Sequence, residues 1–376
     1  MRWSRFTLSC VFGIAICMGS VAHAPVQSRA ETYKPVNVAS QTSSPRDFLQ
    51  WVNSDFRASA LRAGVSADVF DREAARISYI PRVIELDRKQ PEHKIGFDEY
   101  QSKTFTASRV AQGRDHFDQY RSVLRDIENR YGVQAEYIVA LWGMETSYGK
   151  NTGGFDILSA LATLAYDGRR GAYFKDEAIK ALKILQGGHI DRAEFKGSWA
   201  GAMGQVQFMP TSWQNFAVDY NSDGHKDIWT TRIDAFASAA NYLRQNGWAH
   251  GRSWGRQVTV PSGFSEGLMD RKIRKSASEW SSLGVRGLEG QSGNFYLVKP
   301  RGSNGKVYAG TENLATIMKW NNSSFFAITV GQLGDAIAGR RGSVSSISTS
   351  TTSSGAGRTG NVISNRPELV QPHYND

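Results

Sequence analysis

Apolar positions recur at helical spacing along most of this chain, and only two short stretches depart from that rhythm. From Pro45 onward, Phe48, Trp51, Val52 and Phe56 share one face, followed by Leu61, Val65 and Phe70. Ile80-Pro81 predicts a stop to that region, and residues 91–96 a loop. Residues 98–106 read as extended or loosely helical. The span 110–131 predicts one long helix, with Phe117, Tyr120, Val123, Leu124 and Ile127 as its stripe and Gly132 as its end. A second apolar run covers 137–149. Further helices are expected near 158–166, 174–186 and 234–246, and helical spacing returns over 317–333. The two departures, 257–260 and 295–298, alternate or are β-branched and predict short strands. The expected fold is mainly α, with a small mixed α/β lobe.

The two ends carry different patterns. A basic start, an apolar stretch from Phe6 to Val21 and the small-x-small sequence Ala22-His23-Ala24 predict a secretory signal peptide over 1–24. Residues 25–44 are polar and Pro-containing and read as a linker. From Gly339 to the end at 376 the chain is Ser/Thr-rich with little apolar content, which predicts a disordered tail. Between them, 45–338 is the expected folded domain. It is roughly 290 residues, enough for one large core or a core with lobes.

Composition narrows the chemistry. Both cysteines, Cys10 and Cys17, fall in the expected signal segment. The mature chain is therefore expected to lack disulfides, a thiolate nucleophile and a Cys metal site. Neither cysteine follows the small-residue pattern of a lipoprotein site, so a soluble exported protein without a membrane span is expected. Without Arg2 and Arg5 the formal charge is +8 instead of +10. A basic exported protein suits an anionic polymer. No zinc-finger, helix-turn-helix or RNA-binding signature accompanies the charge, so nucleic acid is not the expected partner.

The most informative side chain is Glu145. Ile138, Leu141 and Trp142 recur at helical intervals, and Glu145 lies on the same stripe. A carboxyl on an apolar face is desolvated, which disfavours its charged form and raises its pKa. Such a group can protonate a leaving oxygen at neutral pH. The plainer alternative is a helix-end Glu paired with an Arg, or turned to solvent.

Several segments together resemble the membrane-bound lytic transglycosylase B family of bacterial cell-wall enzymes. They are Met144-Glu145-Thr146-Ser147-Tyr148-Gly149, Arg169-Arg170 before Tyr173-Phe174, and the long turn Gly197-Ser198-Trp199-Ala200-Gly201-Ala202-Met203-Gly204-Gln205-Val206-Gln207-Phe208-Met209-Pro210. The resemblance runs from about 48 to 333 and implies a lysozyme-like α-rich catalytic core. It implies cleavage of the β-1,4 bond between N-acetylmuramic acid and N-acetylglucosamine in periplasmic peptidoglycan, with formation of 1,6-anhydromuramic acid ends. Glu145 would act as acid and then as base on the C6 hydroxyl of the same sugar. No cofactor is required for that chemistry. Glycan strands are the implied partner, with other cell-wall enzymes as further candidates.

The same resemblance assigns substrate-binding roles. Ser198 would hydrogen-bond the Glu145 carboxyl, and Gln207 would meet an N-acetyl group or hydroxyl. Tyr100, Tyr242, Trp320 and Asn321 match cleft positions. Arg169 and Arg170 would pair with stem-peptide carboxylates, or with Glu145 in the free enzyme. Phe326 stands where the family commonly has a cleft Tyr. No second acid is embedded in a comparably specific motif, although Asp156, Asp167 and Asp176 are near in sequence.

One further motif points to a metal. Asp219, Asn221, Asp223 and Asp227, with Gly224 at position six and His225 at seven, resemble the first part of an EF-hand loop. Thr230 replaces the bidentate Glu at position twelve, and Asp234 is the substitute further on. A structural calcium ion is the candidate, and an Asx-rich turn without an ion is its alternative. Three other functions stay open from the residues alone: a muramidase that hydrolyses the same bond, a catalytically silent peptidoglycan-binding scaffold, and an extracellular calcium-binding module.

Overall fold

Helices dominate the computed structural model of the protein, which describes residues 45–89 and 95–339. The expected leader, the linker to 44 and the tail from 340 lie outside the described residues, as does most of the expected 91–96 loop. Among the described residues no helix is long and apolar enough to cross a membrane.

The centre of the fold is the helix Ala135–Thr146, eleven of whose twelve residues are buried. Such all-round burial needs cover on every side. It packs against Ser324–Ile337, Ala107–Gln119, Arg232–Gln245 and Arg121–Tyr131. A second packed pair, Ile157–Asp167 and Gly171–Gln186, stands beside it.

Local outcomes differ from the sequence expectation in identifiable ways. The expected single helix over 110–131 is two helices, because the chain breaks at Tyr120, with φ −104° and ψ 15°. The break seats the Tyr120 ring 5.3 Å from Phe236 and 6.2 Å from Trp142, so the chain wraps the buried helix instead of passing it. Gly132 ends the second piece in the left-handed region, at φ 71°. The preceding helical region stops as expected, its last helix ending at Ala74, and Pro81 then begins a new helix, Pro81–Arg88. Its missing N–H and fixed φ are harmless in a first turn. The span read as extended or loosely helical is a helix, Phe97–Thr104.

The mixed lobe is a four-stranded antiparallel sheet. Its order is Gly255–Val258, Val307–Gly310, Asn294–Val298 and Lys275–Ser276. Val307–Gly310 had too short a pattern to be read from sequence. Val258, Trp280, Phe295, Leu297 and Val307 form a small apolar cluster of its own on this sheet. The loop before Val307–Gly310 is stitched to the start of Phe97–Thr104: Phe97 N–H donates to Arg301 O at 2.8 Å, and Asp98 N–H to Gly302 O at 3.1 Å. The sheet thereby fixes the helix that carries Tyr100.

Candidate active site

The acid sits where the central helix ends abruptly. Ser147, Tyr148 and Gly149 follow Thr146 with φ of 51°, 62° and 82°. Two non-glycine residues in the left-handed region are costly, so their surroundings must hold them. Tyr148, 4% exposed, donates its hydroxyl to Arg109 O at 2.8 Å. Arg109 in turn donates to Ser147 Oγ at 3.3 Å.

The Gly-rich turn holds the same helix end from the other side. Trp142 Nε1–H donates to Gln205 Oε1 at 2.8 Å, and Thr146 Oγ1 donates to Gln205 O at 2.9 Å. Gln205 thus brackets Glu145 in sequence and anchors to Trp229 O through its own amide at 2.8 Å. It was not singled out from sequence, since only its place in the turn was visible. The turn can approach this closely because of its glycines. A Cβ on Gly204, at φ +69°, would lie 2.5 Å from the Ile228 carbonyl oxygen, the group that accepts the Gln205 N–H at 2.8 Å.

Glu145 is half-buried as a residue, yet its carboxyl is sufficiently enclosed that burial pushes its pKa up to about 8. Trp320 Nε1–H donates to Glu145 Oε1 at 2.8 Å and partly opposes that rise. No cation lies within ion-pairing distance of Glu145 among the described residues. Trp320 lines a groove of about 240 Å³ together with Tyr173, Glu177, Gln207, Phe208 and Tyr242.

The structure places the other sequence-derived residues as follows. Tyr242 packs 4.8 Å from the Trp320 ring and donates its hydroxyl to Lys319 O at 2.6 Å; burial pushes its pKa up to about 12. Gln207, at φ 51°, spends its amide on Gly204 O at 3.0 Å and Thr152 O at 3.2 Å, with its side chain at the groove. Asn321 is buried directly after Trp320. Tyr100 is half-buried, with its ring 5.9 Å from Phe325.

Three expectations are corrected. Ser198 does not bond the acid: its Oγ accepts Ala202 N–H at 3.0 Å and closes the turn, and Trp320 is the partner of Glu145. Arg169 and Arg170 do not pair with Glu145: both grip buried Asp87, at 2.9 and 3.0 Å. Phe326 is a core residue, 1% exposed. Its neighbour Phe325 is the ring that reaches Tyr100.

The three neighbouring acids are also engaged elsewhere. Asp156 pairs with Arg192 at 2.6 Å, Asp167 with Arg88 at 2.8 Å, and Asp176 with Lys180. Glu177 is the groove acid that sequence reasoning missed. It accepts Thr211 N–H at 2.8 Å and Thr211 Oγ1 at 2.5 Å, which ties it to the groove wall. Tyr173 was missed too. At 45% exposed, it offers an aromatic face in the groove.

The 219–227 loop has Gly224 at φ +92°, as its position-six role requires. Among the described residues, however, no three His, Cys, Asp or Glu side chains converge on a metal-sized point. Asp219 accepts Asp223 N–H at 3.2 Å and Gly224 N–H at 2.9 Å. Asp223 accepts His225 N–H at 2.8 Å. Asp227 is turned away from the loop, onto Trp229 N–H at 2.8 Å and Thr230 N–H at 2.9 Å, which corrects its reading as a ligand. Asp234, fully buried, reaches back to the loop, accepting Tyr220 N–H at 2.9 Å and Asp227 N–H at 3.1 Å. Burial and nearby Asp219 both raise its pKa. Asp219, Asn221, Asp223 and Asp234 offer oxygen donors of the kind calcium takes, but their carboxylates are spent on backbone N–H groups and do not converge on one point.

A desolvated acid at the end of a buried helix, beside an aromatic-walled groove in a mainly α fold, defines a glycan-cleaving enzyme of the lysozyme-like class. The chain belongs to the transglycosylase SLT-domain family, whose model matches residues 47–335. It is similar to membrane-bound lytic murein transglycosylase B of Escherichia coli (strain K12), at 35% identity over 248 residues. That match covers 64% of this chain and spans 66% of the length of the relative. Among solved structures, SltB3 from Pseudomonas aeruginosa, in complex with NAG-anhNAM-pentapeptide, is 41% identical with a TM-score of 0.75, covering 78% of this chain and 80% of that one. The Escherichia coli lytic transglycosylase Slt35, in complex with calcium, is 30% identical with a TM-score of 0.66, covering 78% and 93%.

Proposed function

We propose that the protein is a peptidoglycan lytic transglycosylase, cutting between N-acetylmuramic acid and N-acetylglucosamine and leaving 1,6-anhydromuramic acid ends. The observation that carries this reading is one isolated carboxyl held near pKa 8 beside the groove, while the neighbouring acids are bound to other partners. Protonated at neutral pH, Glu145 gives its proton to the glycosidic oxygen as the C1–O bond breaks. The resulting carboxylate, held by the Trp320 N–H, takes the proton of the C6 hydroxyl as that oxygen bonds to C1. Glu145 ends protonated, and no water is consumed. A hydrolase needs a second carboxylate as nucleophile or water-activating base. The engagement of Asp156, Asp167, Asp176 and Glu177 argues against that alternative. SltB3, crystallised with anhydro and intact glycan-peptides, supports the same substrate class.

Purified sacculi test the reading. The wild-type protein is expected to release soluble muropeptides. Retained binding without release would instead identify a silent scaffold. The leader pattern and a cell-wall substrate support a periplasmic location, with 45–338 as the catalytic domain and glycan strands as principal partner. Other cell-wall enzymes remain secondary partners in this reading. Tyr242, Gln207, Asn321 and Tyr100 would contact the glycan. Arg169 and Arg170 would meet stem carboxylates only by sharing or releasing Asp87.

The calcium complex of Slt35 supports a structural calcium ion at Asp219, Asn221, Asp223 and Asp234, with the His225 carbonyl. It would neutralise the buried Asp234 and take no part in bond cleavage. Calcium at 100 times its dissociation constant should stabilise the fold by about 2.7 kcal/mol, read as a higher melting temperature that a chelator reverses. Identical melting with calcium and with chelator would remove the site.

A further inference from the structure

We infer that Arg271, Lys272, Arg274 and Lys275 form a binding surface for the carboxylates of peptidoglycan stem peptides, on the lobe that packs against the segment around Trp320. This rests on the transglycosylase reading and names a surface for one part of that substrate.

The four cations fall within five residues of the sheet lobe, three of them exposed and Lys275 half-exposed. None forms an ion pair among the described residues, whereas Arg169 and Arg170 both do. Asp270 and Glu279 flank the run and are exposed as well, accepting the backbone N–H of Lys272 at 2.7 Å and of Ser276 at 2.8 Å, so the four cations face two anions. The stretch therefore presents net positive charge outward.

Its position is set by contacts. Arg271 Nη1 lies 3.4 Å from Asn322 Oδ1 and 3.5 Å from Met318 Sδ. Arg274 lies over the Tyr296 ring at 4.9 Å. Met318 and Asn322 flank Trp320, the residue that lines the groove and holds Glu145. The run is thus docked on the segment that carries the acid's partner. The two arginines that the sequence offered for stem carboxylates are committed to Asp87. A planar guanidinium edge and flexible ammonium groups match dispersed carboxylates on flexible peptides.

The test compares glycan strands bearing stems with strands stripped of them by an amidase, reading kcat/KM for release of anhydro products. The double variant Lys272→Glu, Lys275→Glu should lower the preference for stem-bearing strands about threefold to tenfold, through KM. That loss should shrink in about 0.5 M salt, where exposed charges are screened. Arg271→Lys should keep the preference and Arg271→Glu lose it. An unchanged preference in the charge-reversed variants overturns the proposal. So does an equal kcat loss in both Arg271 variants, which would mark a positioning role through Met318 and Asn322. Loss of binding to anionic phosphatidylglycerol vesicles, with the preference intact, would assign the patch to a membrane surface and overturn it too. If the wild type makes no anhydro products, the transglycosylase reading has failed separately. Titration of a free stem peptide against wild type and the double variant then still decides the patch, with equal affinities counting against it.

Discussion

Glu145→Gln is expected to leave the fold intact and lower turnover by about 10³- to 10⁴-fold, because one carboxyl supplies both proton transfers. Gln has the size of the acid and can still accept the Trp320 N–H. It cannot lose or gain the proton in either step. The pH profile of the wild type follows from the same group. With a pKa of about 8, Glu145 is protonated throughout the neutral range, so activity should hold there and fall about tenfold per unit above pH 8.

Stability carries the matching sign. The folded-state pKa is raised above the unfolded value of 4.5, so the folded state binds more protons between those limits. Stability is therefore lost as pH rises from 4.5 toward 8, by up to about 1.4 kcal/mol per unit before discounting for the group's partial solvent access. Glu145→Gln removes that dependence and should melt higher than wild type at pH 8 while matching it at pH 4.5. Equal melting differences at both values would mean the carboxyl is not desolvated.

Trp320→Phe is expected to reduce kcat about tenfold to a hundredfold and to shift the alkaline limb upward. The indole N–H stabilises the carboxylate and so lowers its pKa, against the larger effect of burial. Without that donor the acid becomes weaker and the carboxylate formed after bond cleavage loses its partner. The ring also packs 5.2 Å from Phe208 and 4.8 Å from Tyr242, so Phe preserves most of the groove wall. A kcat loss with an unmoved alkaline limb would show that the Trp320 contact aligns the groove without tuning the acid.

What the chain's pattern made legible was the acid and its scaffold. The stripe of Ile138, Leu141 and Trp142 places Glu145 on a buried helix, and the glycine spacing of 197–210 marks a turn that must approach something closely. The mainly α fold with a small strand-bearing lobe was equally readable. The partners were not. Trp320 is 175 residues from Glu145, and nothing local in either sequence links them. Ser198 stood in the right turn, but its hydroxyl is taken by an amide four residues away. The sequence pairs Arg169 and Arg170 with stem carboxylates or Glu145 because Asp87, their partner, lies more than eighty residues away in a helix whose start looks like a stop. Glu177 escaped notice because it sits among ordinary helix residues, and only tertiary packing brings Thr211 to it. Long-range side-chain pairing is a property of the packed fold, and local periodicity does not contain it.

The central claim is that Glu145 alone serves as acid and then base, with the sugar's own C6 hydroxyl in place of water. The mass of muropeptides released from purified sacculi tests it most directly. The account predicts ends lighter by one water than hydrolysed ends and resistant to borohydride. Hydrated, reducible ends would contradict it.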